Sequence, residues 1–307
     1  MDKKKVIIFT AVTMAIAWTL QTIGSIYKIS NPGQTGTTVF QASLAISMFA
    51  PFAATLAARR NLKGIGWKPG FKRNFKWLVF CAYVTVPLTC AGGLLFYLIF
   101  PDLFDASGSL LIEKNMEAGV DLVAELGKSG LDIKTYMLIQ LVPAVIVTPF
   151  INVISAIGEE TGWRGFLYPE LNKSFGKVKT WIIGGLLWAV FHFPAILIGG
   201  YEYGTGYIGC PWFGLIVFTL FCIVFGVMEE IVYDRTKCIW YPALLHGSFN
   251  ALATIPQIFV NAGEKDLMDK YAVFGPFGTG LILIIPYIIL AVIMGICAVR
   301  KSKGVVS

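Results

Sequence analysis

The stretch that decides the reading of this chain is Ile157–Leu171, IGEETGWRGFLYPEL. It follows a long apolar run, yet it opens with two adjacent carboxylates, Glu159 and Glu160, and sets Arg164 four residues beyond the second. Ionisable residues inside a membrane segment are costly, and they mark sites of function. The question is therefore whether this is a membrane segment.

The rest of the chain says that it is. Of 307 residues, 56% are hydrophobic and 14% are charged, against about 25% in an ordinary soluble domain. Crossing a hydrocarbon core takes roughly 20 apolar helical residues. Eight runs approach that length, at about 6–26, 39–58, 77–99, 136–158, 180–198, 212–228, 239–256 and 273–299. The expected fold is all-α: a polytopic membrane protein of about eight transmembrane helices around a polar intramembrane cavity, with residues 1–307 forming one membrane domain. The first run follows Lys3, Lys4 and Lys5, is too long for a signal-peptide core and lacks a cleavage site, so it reads as a retained helix.

Eight crossings with the N-terminus in the cytosol put 19 of the 25 Lys and Arg residues in cytoplasmic segments. These segments are the N-terminus, 59–76, 164–179, 235–237 and 300–303, and the six remaining cations fall outside. This is the distribution the positive-inside rule demands. The net charge of +7 is thus a topology signal, met by anionic lipid headgroups, and it argues against nucleic acid as a partner. The expected location is a bacterial plasma membrane, with both termini cytoplasmic. The six cysteines form no C-x-x-C pair and read as packing residues. The largest polar segment, 100–134, carries seven acids against three lysines, and 120–126 within it suggests a short surface helix. It reads as a solvated loop, or else as a lid or partner site.

The chain has only two histidines, His192 and His246, and both fall in apolar runs. Trp188 precedes His192 by four residues, so it shares a helix face and can wall the imidazole. Asn250 follows His246 by four, and the intervening Gly247 and Ser248 let a neighbour approach closely. If the helix runs through the opening stretch, Glu160 and Arg164 form an i,i+4 ion pair. Glu159 then points about 100° away, free to act as a general base. A Glu, two His and an Asn in one place suit hydrolysis, with Glu159 and His192 activating water and His246 and Asn250 stabilising an oxyanion. The same residues also allow zinc held by Glu159, His192 and His246 with an open water position. Asn is a poor zinc ligand and a good oxyanion donor, which favours a site needing no cofactor. A proton-coupled transporter would need repeated helices, and none is evident.

Taken together, Glu159-Glu160-x-x-x-Arg164, Trp188-x-x-x-His192 and His246-x-x-x-Asn250 resemble the CPBP family of CAAX proteases and bacteriocin-processing (Abi) enzymes, which is related to the type II CAAX prenyl endopeptidase. The segment YDRTKCIWYPALLHGSFN (233–250) is also similar to that family's stretch before its last histidine. The likeness covers about 140–254, a CPBP-like catalytic core. It implies an intramembrane endopeptidase acting on a membrane-associated, prenylated or leader-type peptide, with a cavity open to the cytosolic leaflet. Glu159 would be the base, Glu160 its partner, Arg164 the residue holding the carboxylates, His192 the water-positioning group, and His246 with Asn250 the oxyanion hole. The alternative within the same family is a bacteriocin-immunity or scaffold protein that cleaves nothing.

Overall fold

The computed structural model describes residues 1–303, the side chains of 302 and 303 excepted. Among these residues there are fourteen α-helices: α1 (Lys3–Ser30), α2 (Gln34–Ser47), α3 (Ala50–Arg59), α4 (Phe71–Tyr83), α5 (Thr85–Ile99), α6 (Ser109–Glu117), α7 (Leu122–Lys128), α8 (Ile133–Ile146), α9 (Thr148–Gly162), α10 (Tyr168–Leu197), α11 (Trp212–Thr236), α12 (Trp240–Leu252), α13 (Lys265–Tyr271) and α14 (Ile285–Lys303). No strand occurs among the described residues, where one isolated bridge joins Phe104 and Val260. The all-α membrane architecture follows from the sequence, because with no water to satisfy backbone groups, helices and closed barrels are the structures that span lipid.

The eight apolar runs coincide with helical stretches, but among the described residues five of the stretches are long and apolar enough to cross a membrane: Lys3–Ser30, Gln34–Arg59, Phe71–Ile99, Thr148–Leu197 and Trp212–Thr236. Two of the other helices are shorter than a span. Ile133–Ile146 has 14 residues and breaks at Val147, four residues after Pro143. The run expected at 239–256 is helical only over the 13 residues of α12, about 20 Å at 1.5 Å per residue. The last run starts at Ile285 rather than 273, because residues 272–284 are turns and irregular structure. The expected end at 228 is also wrong, since α11 continues to Thr236 through two more carboxylates, Glu229 and Glu230.

Two features position the centre of the bundle. A single π-helical turn, Trp163–Leu167, joins α9 to α10, so the helix carrying Glu159 and Glu160 does run through Arg164. π-turns of this kind occur mostly at functional sites. Helix α10 is then kinked at Gly176, whose φ of 70° lies in the left-handed region that glycine adopts without strain. In α12, a Cβ on Gly247 would stand 2.7 Å from the Pro149 carbonyl oxygen. The missing side chain lets α9 and α12 meet backbone to backbone, and Asn152 donates to the Gly247 carbonyl at 3.2 Å. Ser248 beside it hydrogen-bonds Thr85 at 2.5 Å and the Ala82 carbonyl at 2.8 Å. In the polar segment 100–134, α7 is the short surface helix anticipated there, capped by Asp121.

Candidate active site

Arg164 lies at the heart of the bundle with no solvent exposure. Its Nη1 donates to Glu160 Oε1 at 2.8 Å, which is the i,i+4 pair read from the sequence. Its second partner was not anticipated. Nη2 makes a short ion pair with Glu229 of α11, on the opposite wall. The guanidinium also lies over the ring of Trp188, 4.4 Å from its centroid. Helix α11 can come this close because Gly226 has no side chain, and a Cβ there would stand 2.6 Å from the Tyr168 hydroxyl and 3.3 Å from Arg164 Nη2. Arg164, counted above among the cytoplasmic cations, therefore belongs to the interior.

Glu160 Oε1 takes a second donor, His246 Nδ1, at 2.9 Å, and Glu229 Oε1 lies 3.7 Å from the same nitrogen. Facing two carboxylates, which can only accept, Nδ1 carries a hydrogen and donates it.

Glu159 is not the free carboxylate that its position suggests. Its Oε2 accepts the indole N–H of Trp163 at 3.0 Å and that of Trp188 at 2.6 Å. Its Oε1 takes no protein donor among the described residues, and the side chain lines the cavity. Trp188 also has a role different from the one expected. Its ring lies 6.5 Å from that of His192, while its indole holds the carboxylate and its backbone carbonyl bonds His192 Nδ1 at 3.0 Å. A carbonyl can only accept, so Nδ1 carries the hydrogen, and in the neutral ring Nε2 is left as an acceptor. Phe191, Tyr201 and Phe218 enclose the imidazole, with centroids 4.7, 6.2 and 5.0 Å away.

Glu159, His192, His246 and Asn250 all line one cavity of about 600 Å³, whereas Glu160, Arg164 and Glu229 stand behind its wall. Asn250 is exposed in it. Lys28, Tyr201, Glu202, Gln257 and Thr279 also line the cavity. No residue of 59–76, 164–179 or 235–240 lines it. In this lining, Glu202 sits at φ 69°, a strained conformation for a side-chain-bearing residue, and accepts the Thr279 hydroxyl at 2.7 Å. Burial pushes its carboxyl above the usual carboxylate range, and the hydrogen bonds from Thr279 and Tyr201 oppose that shift.

The acid and imidazole atoms brought within 4.8 Å of one another belong to Glu160, Glu229 and His246, not to the Glu159, His192 and His246 set considered above for zinc. The carboxylate oxygens in that group are the ones Arg164 already engages.

Sequence reading missed Glu229, Glu230, Trp163 and Glu202. The first two sat in view as a second Glu-Glu pair directly after an apolar run, and Trp163 lies four residues after Glu159 on its own helix face.

Residues 141–252 match the family model described as type II CAAX prenyl endopeptidase Rce1-like. The CAAX prenyl protease 2 of Methanococcus maripaludis is 33% identical over 142 residues, which cover 42% of this chain and 52% of that protein. The chain thus spans about half the length of the curated relative it matches. The family-model match takes in every candidate residue from Glu159 to Asn250, and the two likenesses together support a CPBP/CAAX protease family for this chain.

Proposed function

We propose that this protein is an intramembrane endopeptidase of the glutamate type, embedded as a multi-pass protein in a bacterial plasma membrane with both ends cytoplasmic. The observation that carries the reading is the convergence of Glu159, His192, His246 and Asn250 on one cavity wall, backed by a buried charge network that faces away from it. A water held between Glu159 Oε1 and His192 Nε2 would be deprotonated by the carboxylate as its oxygen attacks the peptide carbonyl. The developing oxyanion would take hydrogen bonds from His246 Nε2–H and the Asn250 carboxamide. The C–N bond then breaks, and Glu159 passes the proton to the departing amine. Two indole N–H donors on Oε2 suit this role, because charge-assisted hydrogen bonds fix the carboxylate's aim while leaving Oε1 to the water.

The donor chemistry argues for a site that needs no metal. An ion bound by Glu160, Glu229 and His246 would have to displace the guanidinium from both carboxylates and strand it in a dry interior, at a cost of several kcal/mol. Glu159 and His192 each have one polar atom already committed. The proposed partners are the lipid bilayer and a peptide or membrane-protein substrate, without nucleic acid.

The test is Glu159→Gln, which preserves size and both indole contacts. It should express and fold like wild type and lose peptide processing in cells by at least a thousandfold. Retention of the cellular phenotype with an intact fold would favour the immunity or scaffold alternative.

A further inference from the structure

Helix α4 opens with Lys72, Arg73 and Lys76 before its apolar run begins at Trp77. Arg73, Lys76 and Trp77 are spaced i, i+3 and i+4, so they share one helix face. Helix α11 packs against both α4 and α14, and a cleft of about 450 Å³ lies where the three helices come together. From α4 it takes Arg73, Asn74, Lys76 and Trp77. From α11 it takes Ile231 and Arg235, and from α14 Met294 and Cys297. It shares no lining residue with the active-site cavity.

The cleft is braced from within. Asn74 is only 3% exposed, and its Nδ2 donates to the carbonyls of Pro69 at 3.0 Å and Thr236 at 3.5 Å. Arg73 Nη2 donates to the same Thr236 carbonyl at 3.4 Å. The first turn of α4 is thereby tied to the last turn of α11, and most of the Arg73 guanidinium donors stay free of that bond. Among the described residues, none of Arg73, Lys76 and Arg235 is in an ion pair. The neighbouring acid, Asp234, is taken by Lys177 at 2.7 Å and Lys237 at 2.6 Å. No carboxylate lines the cleft. Three cations gathered without a counter-charge repel one another, and an anion between them removes that cost.

The order of residues along each helix says what kind of anion fits. On α4 the cations precede Trp77, toward the loop. On α11 Arg235 follows Ile231 by one turn, about 6 Å nearer the loop at 1.5 Å per residue. On α14 Met294 and Cys297 come before Arg300 and Lys301. Each helix thus places charge at the loop end and apolar surface deeper. Phe75 and Val79 of α4, and Ile293 and Ile296 of α14, continue that apolar surface as exposed side chains. A phospholipid presents its groups in the same order, headgroup and then chain, whereas a free phosphate has no use for the apolar half. Tryptophan is favoured at this level of a bilayer, and the positive-inside rule sets these loops against the cytosolic leaflet, whose lipids carry the negative surface charge.

We propose that this cleft binds the phosphodiester headgroup of one anionic phospholipid, held by Arg73, Lys76 and Arg235, with the glycerol end of the lipid against Trp77, Ile231 and Met294. The assignment is independent of the proteolytic reading.

Cys297 is exposed and lines the cleft, so its reactivity reports occupancy. In protein with Cys90 and Cys210 changed to Ala, its reaction with the uncharged reagent N-ethylmaleimide is followed in neutral-detergent micelles. The micelles contain dioleoylphosphatidylglycerol or dioleoylphosphatidylcholine, or inorganic phosphate is added instead. Phosphatidylglycerol should slow the reaction about tenfold once it exceeds its Kd about tenfold. Phosphatidylcholine, which brings its own cation, and inorganic phosphate, which brings no chain, should leave the rate within about twofold. In the triple variant Arg73→Gln, Lys76→Gln, Arg235→Gln, the lipid needed for half protection should rise about 100-fold, at about 1 kcal/mol per cation. Lys3→Gln, Lys4→Gln, Lys5→Gln removes as much charge from another basic segment and should not move it. The three-ligand comparison carries no substitution among the cationic residues, so it decides even where the triple variant folds poorly. Lys76→Gln alone, at an exposed position, should then raise the half-protecting lipid about fivefold. No protection by phosphatidylglycerol, equal protection by phosphatidylcholine, or an equal loss in the Lys3, Lys4 and Lys5 variant would overturn the site. Equal protection by inorganic phosphate would overturn the lipid as its occupant.

Discussion

Removing the Arg164 side chain as Arg164→Met would leave Glu160 and Glu229 facing each other across α9 and α11 without their shared cation, both with no solvent exposure. Breaking a buried pair by deleting one partner costs about 3–5 kcal/mol, because the remaining charge cannot recover its hydration. That is a large part of a typical stability of about 5–15 kcal/mol. At about 2 °C per kcal/mol for a chain of this size, the melting midpoint should fall by about 6–10 °C. Thermal unfolding of the detergent-solubilised protein, followed by the loss of the monodisperse peak in fluorescence size-exclusion, reads this directly. The triple variant Arg164→Met, Glu160→Gln, Glu229→Gln should recover most of the loss, since it buries no unpaired charge. It should stay inactive, because His246 loses the carboxylate that orients it. An Arg164→Met protein melting within about 2 °C of wild type, or a triple variant no more stable than the single, would refute the argument that this guanidinium neutralises two helices at once.

Three further outcomes follow from the same geometry. Trp188→Phe deletes one of the two donors on Glu159 Oε2 while keeping an aromatic ring, so kcat should drop about 10–100-fold, the worth of one hydrogen bond to a charged group, with little change in melting temperature. Asn250→Ala, at an exposed position in the cavity, should lower kcat by about 10²–10³ with KM nearly unchanged, as loss of an oxyanion donor does. Exhaustive chelation and dialysis should leave activity within twofold of the untreated enzyme. Loss of activity restored by zinc alone would reverse the preference for a metal-free site.

The charged i,i+4 pair, the two histidines and the helical membrane architecture were legible because each is a local pattern: a spacing along one helix or a run of apolar residues. What escaped depends on contacts between helices or on where hydropathy is cut. The expected run stops at 228, since a hydropathy window ends at the first charge, whereas α11 continues through Glu229 and Glu230 to Thr236 and sets Glu229 against Arg164. Glu159 looked unpaired because a helix face shows where a side chain points, not what stands opposite it, and its Trp188 donor arrives from 29 residues away. The cavity lining is assembled from segments far apart in the chain, so no single stretch announces it.

Trp188 touches Glu159 through its indole and His192 through its backbone. One residue thereby acts as a ruler between the two groups, and their separation is set by the covalent dimensions of a single tryptophan. A slide of α9 along α10 would break the indole contact before it changed that distance gradually, so the site is either assembled or visibly undone, with little in between. Sequence drift elsewhere in the bundle can then accumulate without retuning the spacing. An exchange at position 188 has to supply a new donor to the carboxylate from somewhere else.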